Sequence, residues 1–353
     1  MSFLIKNSRA SKEKNKDTPK DAPKAKPETE VPKDPPLKRE SFKEARKKLI
    51  ADSNRIKYGK VITKKKLESN LKLGQNGVGE LTTHLFNEDA FGLNVSYSNG
   101  SYFSRSENQC GFKMNGFVNE NSTIHEQGGT FYHECWHAID NNYGDSQAVD
   151  IYGFPDASVY MSTHMTLSTG KTFMTTLIEE YSQVNEQELK NAIKNDIDSY
   201  FKEKYGMTKD EVIADYDVVK KKASELYTKN FNEYWEYVNT EEYIKKQDAF
   251  FETRVEYPAK VRRKWADMSD VVNGATNGNS TLVDVGHFDF GYWNNSTRAK
   301  EAFAEIASSK ATNPASYDVF KKYLPNTVKA FEEIYNGLES GKIKSRGRKN
   351  GRV

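Results

Sequence analysis

The stretch "GGTFYHECWHAIDNN", residues 128–142, places His133, Glu134 and His137 close together in one short segment. Histidines four apart on a helix share a face, so two imidazole nitrogens can point at one spot about 2 Å from each, the reach of a zinc–nitrogen bond. Glu134 adjoins His133 but is turned from it by about 100°, which sets its carboxylate beside such an ion rather than on it. A base standing there can take a proton from water whose pKa a divalent ion has lowered to roughly 7. Gly128-Gly129 interrupts the preceding pattern, and Thr130 has N-cap chemistry for a helix running to about Asp140.

Two histidines do not complete a catalytic zinc site, which takes a third protein ligand and keeps one position open. His84, His125, His164 and His287 are scattered and show no metal spacing with the motif; each reads as a surface or hydrogen-bonded core histidine. A better candidate lies in "KEAFAEIAS", residues 300–308, where Glu301 and Glu305 are four apart among Ala302, Phe303, Ala304, Ile306 and Ala307. Carboxylates on a largely apolar helix are costly unless something positive receives them. Glu301 is therefore the expected third ligand, and Glu305, one turn on, is expected to orient His133 or His137. Hydrolysis also needs a donor for the developing oxyanion. "GHFDFGYW", residues 286–293, offers Tyr292 and His287 for that role on a loop just before the second motif.

The chain of 353 residues is 36% hydrophobic and 29% charged, with a net charge of +3 that is concentrated in its ends. Six of the ten prolines fall between Pro19 and Pro36 in a lysine-rich stretch, so residues 1–40 are expected to be a disordered tether. Residues 41–80 read as a basic helical linker and residues 341–353 as a second basic tail. The two cysteines, Cys110 and Cys135, make no disulfide framework. The opening residues lack the apolar core of a secretory signal and no window is long and apolar enough for a membrane span, so the expectation is a protein that stays where it is made.

Residues 91–125 are rich in aromatics, Gly, Asn and Ser, and Asn99-Gly100 is a turn signal, so short strands and a hairpin are expected there. From about 172 the pattern turns helical. Leu189, Ile193, Ile197 and Phe201 recur at helical spacing, Gly206 is a stop, and Thr208 to Glu211 form a capping box. The aromatics that follow, up to Pro258, read as inter-helix packing. Ser296 can cap the helix bearing Glu301, and a last helix is expected from about Tyr317 to Leu338.

"HECWHAID" with a downstream "EAFAE" resembles zinc metallopeptidases of the zincin group with a glutamate third ligand, most closely the catalytic domain of the anthrax lethal factor type. The segments "SDVVNGATNG", "GH" and "YW" ahead of "EAFAE" also resemble metallopeptidase-like domains of phage minor head and head-morphogenesis proteins. The resemblance covers roughly residues 110–140 and 265–338. It implies His133, His137 and Glu301 as zinc ligands, Glu134 as base, Glu305 behind the ligands and Tyr292 as transition-state donor. Three features depart from the lethal factor pattern. Trp136 stands where glycine is common, Tyr292 precedes Glu301 by nine residues, and His137 and Glu301 are 164 residues apart, so residues 172–257 must be an insertion.

The expected fold is α+β and zincin-like: a small, mostly antiparallel sheet over the motif helix, a largely helical second lobe and a long helical insertion, the whole domain spanning 81–340. The expected activity is peptide-bond hydrolysis with Zn2+ as cofactor, on a protein or peptide substrate. Phage structural proteins are the implied partners, and the setting is cytoplasmic or virion-associated, with no membrane contact. Two rivals stand beside it. One is a zincin fold kept as a structural or interaction module of a phage head or secreted assembly; the other is nucleic-acid contact by the basic tails.

Overall fold

In the computed structural model the described residues are 57–58, 69–87, 94–97, 101–105, 109–112, 124–152, 159–276, 280, 282, 285–286 and 295–343. The expected tether, most of the basic linker and nearly all of the C-terminal tail lie outside them. Strands β1 (Lys57–Tyr58), β2 (Asn94–Tyr97), β3 (Tyr102–Ser104) and β4 (Gln109–Phe112) form one sheet, with α1 (Val78–Asn87) between β1 and β2. After β4 come α2 (Gly129–Tyr152), α3 (Met161–His164), α4 (Phe173–Tyr181), α5 (Glu186–Tyr205), α6 (Lys209–Lys229) and α7 (Phe231–Val238). They are followed by α8 (Glu241–Thr253), α9 (Ala259–Ala275), α10 (Asn295–Thr312), α11 (Pro314–Tyr323) and α12 (Pro325–Glu339). The described residues are mostly helical with a small sheet, an α+β arrangement. No helix among the described residues is long and apolar enough to cross a membrane.

The sheet corrects one expectation: it is mixed rather than mostly antiparallel. Its order is β1-β2-β4-β3, with β1–β2 and β2–β4 parallel and only β3–β4 antiparallel. β4 enters between β2 and β3, so the strands flanking Asn99-Gly100 are not neighbours and the paired hairpin is β3–β4. A turn signal sets where the chain reverses but not which strand takes the adjacent place. Here β4 carries the buried Cys110 and Phe112 on one face, and a central position keeps both of its edges paired.

Between residues 131 and 144, α2 is largely buried. Toward the sheet, Phe131 stacks on Phe112 with ring centroids 5.8 Å apart, and the Cys110 thiol lies 3.4 Å from the Glu134 carbonyl oxygen. About 140° round the helix from Phe131, Trp136 is fully buried against Phe303, Phe331 and Tyr335, at centroid distances of 5.9, 5.7 and 6.0 Å. Its indole N–H donates to Thr82 Oγ1 at 3.2 Å. Trp136 therefore fills space between α1, α10 and α12 and does not crowd the sheet. The third side carries the two histidines and packs along α10.

α2 runs past Asp140 to Tyr152, longer than expected, because Asn142 does not end it: the Asn142 amide donates to the Ala138 carbonyl one turn back at 2.8 Å. Gly144 allows a close crossing, since a Cβ there would lie 2.4 Å from the Val159 carbonyl oxygen and 2.5 Å from Tyr160 Cα. The segment leading into α3 passes over α2 at that point. The helix also begins earlier than a Thr130 cap implies, after Gly128 at φ +84°.

Signals in the helical block are met closely. Gly206 closes α5 at φ 76°, and Thr208 and Glu211 make the reciprocal capping box of α6. Phe173, Leu177, Leu189 and Ile193 join the main core, so α4 and the start of α5 are part of the central packing. Tyr216, Val219, Ala223 and Tyr243 form a separate small core among α6 to α8. Not all the aromatics pack inside: Tyr227, Phe231 and Trp235 are about 60% exposed. The expected last helix is two helices, broken at Leu324-Pro325, because proline has no N–H to continue the ladder and starts a new helix readily. Leu71 and Val78, within the stretch read as a linker, belong to the main core.

Trp136 and Trp235 give a direct check of this packing. Trp136→Ala is expected to lower unfolding stability by about 3–5 kcal/mol, and Trp235→Ala by no more than about 0.5 kcal/mol, both read by chemical denaturation. Equal effects would contradict the assignment of Trp136 to the core.

Candidate metal centre

The packing of α10 along α2 brings together side chains 164 residues apart in sequence. Glu301 Oε2 lies 3.2 Å from His133 Nε2 and 3.2 Å from His137 Nε2, and the two nitrogens are 3.0 Å apart. Two imidazole nitrogens and a carboxylate oxygen at this spacing repel unless a proton or a cation lies among them. Three ligands bound tetrahedrally at zinc distances stand about 3.3–3.4 Å from one another. The observed triangle is close to that face, with room for a point about 2 Å from all three atoms. Among the described residues this is the cluster of histidine, cysteine and carboxylate side chains that can hold a metal ion.

Glu305 lies behind His133, with its Oε1 3.1 Å from Nδ1. A carboxylate there favours the proton on Nδ1, which leaves the Nε2 lone pair facing the triangle. Burial opposes a charge on His133, but Glu305, Glu301 and Glu134 outweigh it and hold the imidazole well above its ordinary pKa. Burial would likewise raise Glu301, yet the facing imidazoles hold it well below the usual carboxylate range. Glu305 is raised, first by burial and then by Asp267 and Asp270, with His133 opposing. The site is thus a set of buried charges of both signs held in contact.

Glu134 behaves differently. It is only 7% exposed, and its carboxylate makes no hydrogen bond and no ion pair among the described residues. Burial pushes its pKa up, with the two histidines opposing. A desolvated, unpaired carboxylate on the helix that carries both imidazoles is suited to receive a proton.

Several neighbours were not foreseen in the sequence. Asp140 is fully buried and accepts from the Ser162 backbone N–H at 2.8 Å and hydroxyl at 2.6 Å; burial raises its pKa to about 6. Asp267 accepts from the Ser309 hydroxyl at 2.6 Å and lies 3.7 Å from His125 Nδ1. Asp267 and Asp270 are three apart on α9, so an acidic pair in its buried stripe was the available signal. His164 bonds the Thr163 hydroxyl at 2.6 Å, in keeping with the reading of these single histidines as hydrogen-bonded.

Tyr292 and His287, the expected oxyanion donors, lie outside the described residues. The approach to their loop is held on α9. Ser269 donates to the Leu282 carbonyl at 2.6 Å and Arg262 to the Val285 carbonyl at 3.0 Å. At Gly286 a Cβ would fall 2.2 Å from Asp270 Oδ1, so any larger residue would displace the Asp270 carboxylate.

Comparison with known proteins adds nothing to this geometry: no family model, no curated protein and no solved structure matches the chain.

The raised pKa of His133 means that a metal ion entering the triangle must displace a proton. Metal affinity is therefore expected to rise between about pH 6 and 8, with proton release visible by calorimetry in buffers of different ionisation enthalpy. Affinity that stays flat over this range would contradict the charge state described.

Proposed function

We propose that the chain is a zincin-type metallopeptidase in which His133, His137 and Glu301 hold a zinc ion. The observation that carries this reading is Glu134: a buried carboxylate with no partner among the described residues, one residue from a converging ligand triangle. A purely structural metal site has no use for such a base. The donor set of two imidazoles and one carboxylate fits zinc with an open fourth position. When bound, zinc would acidify a water molecule and polarise the scissile carbonyl.

The protein's own groups divide the rest of the chemistry. Glu134 takes the proton of the attacking water and delivers it to the leaving amine. Glu305 keeps His133 in the tautomer that presents Nε2. Tyr292 or His287, beyond the anchored Leu282 and Val285, would donate to the oxyanion. Strand β3 ends the sheet and α2 packs against it. Its outer edge would therefore pair with an extended substrate backbone alongside α2.

Glu134→Gln tests this reading. Metal content should be unchanged, while cleavage of a broad peptide library falls by about 10²–10⁴-fold. If wild type and variant both bind one metal ion and are equally inert, the peptidase reading fails and a structural metal takes its place.

A further inference from the structure

Lys300 immediately precedes Glu301 on α10, but its side chain leaves the helix about 100° away. Its ammonium sits over the Tyr160 ring, 3.7 Å from the centroid. The side chain is half-buried, and among the described residues it has no hydrogen-bond acceptor and no carboxylate at ion-pair distance. A half-buried ammonium ordinarily has such an acceptor. Asp140 and Glu301 are both near enough to act on it electrostatically, yet each is engaged elsewhere. Both Asp140 oxygens take hydrogen bonds from Ser162, and Glu301 Oε2 is turned to the two imidazoles.

Arg105 supplies a second cation. It directly follows β3, the edge strand, and repels Lys300. An anion meeting the Lys300 ammonium would supply the acceptor that it lacks among the described residues. Tyr160 forms one wall, and Lys300 adjoins the ligand residue itself. Lys300 is thus next in sequence to a residue of the metal triangle, and Arg105 directly follows the edge strand.

We propose that Lys300, seated on Tyr160 and supported by Arg105, recognises a carboxylate of the substrate close to the scissile bond. That carboxylate is either an aspartate or glutamate side chain or the free C-terminus of the chain. The inference rests on the metallopeptidase reading and adds a substrate class to it. A neutral group in the same place leaves the ammonium without an acceptor, so discrimination comes from the cost of the wrong substrate as much as from the gain of the right one. Arg105 widens the field of positive charge, and Lys300 makes the contact.

Three probes built on one zinc-binding hydroxamate test the proposal. They end in a glutamate amide, a glutamine with a free terminal carboxylate, and a glutamine amide. With zinc-loaded full-length protein, one of the charged probes should bind about tenfold or more tightly than the neutral one, and which one does so identifies the source of the carboxylate. Lys300→Gln should abolish the advantage while leaving the neutral probe's affinity within about twofold, and Lys300→Arg should keep it. Equal binding of all three probes by the wild type, a comparison that needs no variant to fold, overturns the proposal. So does an advantage that survives in Lys300→Gln. If the neutral probe fails to bind at all, the metal reading has failed and this inference falls with it.

Discussion

Two glutamates on an apolar helix, buried against two histidines on another, set the architecture. Leaving Glu301 and Glu305 uncompensated inside the protein would cost several kcal/mol each, so α10 can settle on α2 only where imidazoles meet them. Trp136, Phe303 and Phe331 supply much of the apolar contact that holds the helices together. Apolar contact alone tolerates sliding; the facing charges do not. A shift of α10 by one residue would turn Glu301 by about 100° away from both nitrogens.

The other elements serve this pair. The sheet covers the side of α2 next to Glu134, through Phe112 on Phe131 and Cys110 against the Glu134 backbone. That packing keeps the base out of water and lifts its pKa. On the far side of Glu305, α9 contributes Asp267 and Asp270, whose charge raises Glu305 in turn. Asp267 is steadied by Ser309 and His125. His133 is therefore backed by Glu305, and a group behind a metal ligand governs how firmly that ligand is oriented. The helices α6 to α8 add their own small core and leave Tyr227, Phe231 and Trp235 in solvent.

What the sequence disclosed divides along physical lines. The histidine pair, the glutamate pair, the Gly206 stop and the Thr208 capping box are local patterns, fixed by helical geometry and backbone hydrogen bonding within a turn or two. All four are present as read. The sheet order was not legible, because nothing near Asn99-Gly100 says that β4 will slip between β2 and β3. Asp140 with Ser162 and Asp267 with Ser309 also escaped notice: each joins polar residues 22 or 42 positions apart, and polarity carries no periodicity that points to a distant partner. Two misses were avoidable. Pro325 signals the helix break, and Gly144 inside a helix signals a close crossing.

The central claim is that His133, His137 and Glu301 jointly hold one divalent ion. Metal analysis of the purified full-length protein, wild type beside His137→Ala, tests it most directly. The account predicts about one zinc per wild-type chain and almost none in the variant, with both proteins folded by circular dichroism. A wild type that takes up no metal from zinc-containing buffer, or a variant that retains it in full, would contradict the account.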